Sequence, residues 1–106
     1  MDDILLTETL ALSFGQQSKG VMQARGNGAL ALTRGELYFV MYAPERELRI
    51  PLASVQGTSL VRSHLGKAQG VDLLHVRFDD GGADDSIAWR VPNPIDWKTQ
   101  LDALRG

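Results

Sequence analysis

The sequence predicts a mainly β fold: seven antiparallel strands forming a small barrel or two orthogonal sheets, capped by one C-terminal α-helix. Three observations carry that expectation. Residues 26–52 hold three short runs in which apolar and polar side chains alternate, separated by turn-forming residues. Further short alternating runs continue to Val91 without a long helical period. From Asn93 the period changes, and Trp97, Leu101 and Leu104 fall at i, i+4 and i+7, one face of a helix.

The first strand is expected from about Glu8, where Leu10, Leu12 and Phe14 alternate with Ala11 and Ser13, although Leu5, Glu8 and Leu12 also permit a helical turn. Residues 15–20 read as a loop and Val21 to Arg25 as a short extended piece. A turn is expected at Gly26-Asn27-Gly28, because glycine and asparagine tolerate left-handed backbone. Leu30 and Leu32 then define one strand, and Leu37, Phe39 and Met41 the next, with Tyr38, Val40 and Tyr42 on its opposite face. Arg34-Gly35 joins them, Gly35 being free to take a positive φ. Ala43 to Arg46 is a turn, after which Leu48 and Ile50 face one way and Glu47 and Arg49 the other.

A turn at Ser54 to Gly57 precedes a fifth strand, Thr58 to Arg62. Ser63 to Gly70 reads as an exposed loop. Val71 to Phe78 puts Leu74, Val76 and Phe78 on one face, and Asp79 to Asp85 reads as a solvated acidic hairpin turn. The returning strand directs Ile87, Trp89 and Val91 inward and Ala88 and Arg90 outward. The helix begins with Asn93 as N-cap, Pro94 in the first helical position and Asp96 in the first turn, where a negative charge opposes the positive end of the helix dipole.

At 106 residues with 43% hydrophobic composition, the chain suits one domain over 1–106, burying about two-thirds of its unfolded surface. Zero cysteines exclude disulfides, thiolate metal sites and cysteine nucleophiles, and fit a cytoplasmic location. The start Met-Asp-Asp lacks a basic segment and the apolar residues after it are interrupted by Thr7, Glu8 and Thr9, so neither a signal peptide nor a transmembrane segment is expected. Thirteen acidic and eleven basic residues are mixed along the chain, a net charge of −2. Nucleic-acid binding draws its affinity from clustered Lys and Arg, so no nucleic-acid partner is expected.

Several motifs fail on their surroundings. Gly26-Asn27-Gly28-Ala29-Leu30-Ala31 has the glycine spacing of a loose dinucleotide loop, but a strand rather than a helix follows. Leu65-Gly66-Lys67-Ala68 has Val61 and Ala68 where a phosphate-binding loop needs glycine and a hydroxyl. Gly57-Thr58-Ser59-Leu60-Val61 lacks the second glycine of a nucleophile elbow. His64 and His75 are eleven positions apart, without metal-ligand spacing, and Asp79, Asp80, Asp84 and Asp85 lack the alternation of a calcium loop. No metal, cofactor or catalytic residue is assigned. Trp89 and Trp97 are expected to pack between the last strand and the helix.

The run Gly26-Asn27-Gly28-x-Leu30-x-Leu32-Thr33, then Glu36-Leu37-x-Phe39, then Arg46-Glu47-Leu48-x-Ile50-Pro51-Leu52, resembles the core of GRAM-type and bacterial pleckstrin-homology-like domains. Phe14-Gly15-Gln16, Ser18-Lys19-Gly20, Ser63-His64-Leu65-Gly66-Lys67 and Ala88-Trp89 further resemble a group of small prokaryotic proteins of that type. The resemblance implies a non-catalytic binding module whose ligand is a phosphoinositide, a peptide or another domain; fold analogy alone assigns no activity.

Two readings follow. In the first, Tyr38, Val40 and Tyr42 form an apolar-aromatic strip that meets a protein partner or a second copy of the chain. In the second, Lys19, Arg25, Arg62, His64 and Lys67, in or beside the loops around 15–28 and 62–70, hold an anionic lipid headgroup or small anion. The bland alternative to the second is a set of independently solvated charges.

Overall fold

A computed structural model describes residues 4–19, 26–43, 45–64 and 67–105, with the backbone alone for Lys19, Ser63 and residues 67–69. Seven strands, β1 (Leu6–Gln16), β2 (Gly26–Leu32), β3 (Glu36–Met41), β4 (Arg46–Pro51), β5 (Val55–His64), β6 (Lys67–Asp80) and β7 (Ala83–Arg90), precede one helix, α1 (Pro94–Arg105). All neighbours are antiparallel, in a single sheet of order β4-β3-β2-β1-β7-β6-β5. The sheet is open, with β4 and β5 at its edges.

The sheet is strongly curled. Strands β3 and β7 are three positions apart, about 14 Å in a flat sheet, yet the rings of Phe39 and Trp89 lie 5.7 Å apart. Curling gathers inward side chains from both halves into one core that includes Leu30, Leu32, Leu37, Phe39, Ile50, Leu74, Val76, Ile87 and Trp89. Trp97 and Leu101 of α1 join the same cluster, with Leu104 packed against it. The helix starts at Pro94, where the Asn93 side-chain amide donates to the Asp96 carboxylate (3.2 Å). Asp102 then accepts from the Thr58 hydroxyl of β5 and pairs with Lys98 at 2.6 Å, tying α1 across the β5 edge.

Several local expectations are corrected. Gly35 is not in the positive-φ region, which among the described glycines is taken by Gly15, Gly70, Gly81 and Gly82. The β2–β3 turn is held instead by the Thr33 hydroxyl, which accepts from the N–H groups of Gly35 and Glu36. Gly26-Asn27-Gly28 is strand, not turn, paired to both β1 and β3. Glycine is needed there for space: a Cβ at Gly28 would strike the Val40 carbonyl oxygen and the Phe39 ring, and one at Gly26 the Met41 sulfur.

The turn expected at Ser54–Gly57 lies earlier, as a 3-10 turn over Leu52–Ser54, and β5 runs from Val55. The loop expected over 63–70 is mostly strand, β5 continuing to His64 and β6 beginning at Lys67. A register shift between Val61 and Ser63, with Gly70 at φ +64°, bends this hairpin. The acidic turn shrinks to Gly81-Gly82, since Asp79 pairs with Asp84 and Asp80 with Ala83 across the ladder.

In β1 the alternation holds with the smaller residues inward. Ala11 belongs to the main core, whereas Phe14, with Leu12 beside it, packs on the outer face against Leu73 and Ala88. Ala88, expected outward, is therefore also buried.

Candidate functional site

The outer, convex face carries Tyr38, Tyr42 and Arg62 from the two sequence readings. Tyr42 donates its N–H to the Asn27 carbonyl (3.0 Å), Asn27 pairs with Leu12, and Leu12 with Arg90, so these four residues form one cross-strand row. Beside the row, β1 carries a bulge between Glu8 and Ala11. A bulge inserts an unpaired residue and turns its side chain away from the ladder, and Leu10 sits there, 74% exposed, its N–H capped by the Glu8 carboxylate at 3.0 Å. Leu10 lines a groove with Leu12, Val71, Pro92, Pro94 and Ile95. Val71 and Ile95 are 37% and 63% exposed, and Arg90 and Asp72 line the same groove.

The expected strip splits. Tyr42 is 54% exposed and its hydroxyl donates to the Thr9 carbonyl (3.0 Å), which fixes the ring next to Leu10. Val40 is half-buried. Tyr38 lies under the Arg49 guanidinium, 4.2 Å from the ring centre, and Arg49 is held in turn by Glu36 at 2.6 Å. A hydrogen bond with Glu47 raises the Tyr38 pKa, against the lowering effect of the Arg49 charge. Tyr38 thus faces a polar network and Tyr42 the apolar groove.

Of the expected anion site, only Arg62 and His64 have described side chains. Arg62 pairs with Asp72 at 3.3 Å on the exposed surface. His64 is buried, its Nε2 2.8 Å from the Gly15 carbonyl, which identifies the Nε2–H tautomer as donor. Arg25 and the side chains of Lys19 and Lys67 lie outside the described residues.

Two polar clusters were not legible beforehand. The bent β5–β6 hairpin brings His64 to β1 and sets its ring 5.4 Å from that of His75. Burial, His64 and Arg77 all lower the His75 pKa, and its Nδ1 lies 3.3 Å from the Ser59 hydroxyl. The second cluster surrounds Asp85, taken above as solvated but in fact buried. Its carboxylate accepts from the Gln16 amide (3.0 Å), the Ser18 N–H (2.9 Å) and hydroxyl (2.8 Å), and the Ser86 N–H (2.8 Å). Burial pushes the Asp85 carboxyl up, but these hydrogen bonds outweigh it and hold the pKa below its ordinary value. Asp85 fastens the end of β1 to β7. No sequence spacing signals either cluster, because both depend on strand register.

Among the described residues no three His, Cys, Asp or Glu side chains come together to hold a metal ion. No helix there is long and apolar enough to cross a membrane. Compared with protein-family models and with curated proteins, the chain matches none.

Proposed function

We propose that this chain is a non-catalytic interaction module of the pleckstrin-homology-like type, its curled sheet forming the barrel of that fold, and that it self-associates through the outer groove. The observation that carries the reading is the convergence of Leu10, Tyr42, Val71 and Ile95, four of the five large apolar residues left exposed among the described residues, on one side of the sheet. Exposed apolar side chains occur singly on any surface; clustered ones rimmed by polar groups mark an interface. The occupant that fits is a second copy. Arg90 and Asp72, the latter paired with Arg62, put charges of both signs in the groove, the self-complementarity a symmetric dimer requires.

Light scattering after size-exclusion chromatography, over a range of protein concentrations, tests this. The wild type is expected to dimerise, Leu10→Glu and Ile95→Glu to weaken the dimer roughly tenfold or more, and Tyr38→Ser to leave it unchanged. Asp72→Arg and Arg90→Asp should each weaken it and in combination restore it. A monomer at every concentration overturns the reading.

A further inference from the structure

The outer groove is not the only concavity. At the end of the curled sheet away from α1, a cleft of about 320 Å³ opens toward the core. It lies where β1 and β3 end and β4 begins, while Leu52, Leu104 and the 34–35 turn lie at the other end. Phe39, Met41, Leu48 and Ile87 line it with apolar surface, and the neighbouring wall carries Ser13, Gly15 and Gln16, whose amide donates to Asp85. The volume is at the small end of the range for ligand sites, enough for a compact apolar group and too little for a bulky one.

The charge at the rim defines the ligand further. Side chains alternate across a strand, so Arg46 falls on the same concave side of β4 as Leu48 and Ile50. Glu47, the other charged residue at the rim, belongs to the opposite face, where it interacts with Tyr38 and lies 3.9 Å from Arg49. The Arg46 side chain makes no hydrogen bond or ion pair among the described residues and lines the cleft. A guanidinium beside an apolar cleft matches a ligand that combines a tail with a carboxylate, since Arg binds carboxylates through paired N–H donors.

We infer that the cleft binds a medium-chain carboxylate, its hydrocarbon among Phe39, Met41, Leu48 and Ile87 and its carboxylate on Arg46. This site is on the concave side and does not depend on the groove proposed for dimerisation. Isothermal titration calorimetry with monomeric decanoate tests it, with decyltrimethylammonium as a probe of the same tail and opposite charge. Saturable one-to-one binding of decanoate, little or none of the cation, is expected. Arg46→Glu should weaken decanoate binding about tenfold, the worth of one charge-assisted hydrogen bond, and Leu48→Trp should block it by filling the cleft. Because Arg46 is exposed, its variant remains informative even if Leu48→Trp fails to fold. Absence of saturable decanoate binding, equal binding of the cation, or undiminished affinity in Arg46→Glu overturns the inference.

Discussion

The two ends of the curled sheet are closed by different physics. Near the β2–β3 turn the inward positions are large, Leu30, Leu32, Leu37 and Ile50, and α1 seals them with Trp97 and Leu101. Toward the other end the inward positions of β1 and β2 shrink to Ser13, Gly15, Gly26 and Gly28, all buried. There Phe39 and Met41 fill the space a Cβ would need, and the polar contacts of Asp85 hold the strand ends together. One end is closed by apolar volume and the other by hydrogen bonds. Packing to high density belongs to the first; the second keeps a cleft, which a close-packed core would not tolerate without a cost.

The contrast breaks most clearly at Trp97. Trp97→Ala should destabilise the fold by about 3–5 kcal/mol through loss of a fully buried aromatic, read as a lowered denaturation midpoint. Unchanged stability would mean that α1 is not what closes that end.

A smaller effect belongs to the polar end, and it depends on pH. Asp85→Ala should cost about 2–3 kcal/mol near neutral pH, the range for hydrogen bonds to a charged group. Because the folded Asp85 pKa is lowered from 3.8, its contribution is complete above that value and is lost as pH falls through the lower folded one. His75, lowered from 6.5, acts in the same direction and earlier: folding favours its neutral form, so stability declines as pH falls from 6.5 toward the folded value. Amide exchange at Ser18 and Ser86 should therefore accelerate in acid before exchange in α1 does. Simultaneous acceleration in both would show that the two ends open as one unit.

The smallest effect is expected on the outside. Leu10→Ser and Ile95→Ser should change monomer stability by no more than about 0.5 kcal/mol, as exposed positions do, measured by chemical denaturation at concentrations below dimer formation. A larger loss would make these side chains part of the fold rather than of an interface.

Strong local periodicity determines structure where nothing interrupts it. The β2–β4 meander and the Trp97-Leu101-Leu104 helix face follow from alternation and from 3.6-residue spacing, which do not depend on distant contacts. Structure and local pattern part at irregularities. The bulge in β1 and the register shift in β5–β6 each change which side chain faces which way, so Leu10 is exposed, His64 is buried and an expected loop becomes strand. Of the expected interface, Tyr42 lies at the groove and Tyr38 beneath Arg49, a distinction set by cross-strand neighbours on β4.

From sequence alone came the strand-rich class, the terminal helix and its buried face, because backbone period and side-chain polarity are local properties. Curvature was decided only in three dimensions. It brings Phe39 to Trp89, His64 to Gly15 and Gln16 to Asp85 across intervals of 49 to 69 residues. Such contacts arise from register and bulges summed over several strands, and no single stretch of the chain encodes them.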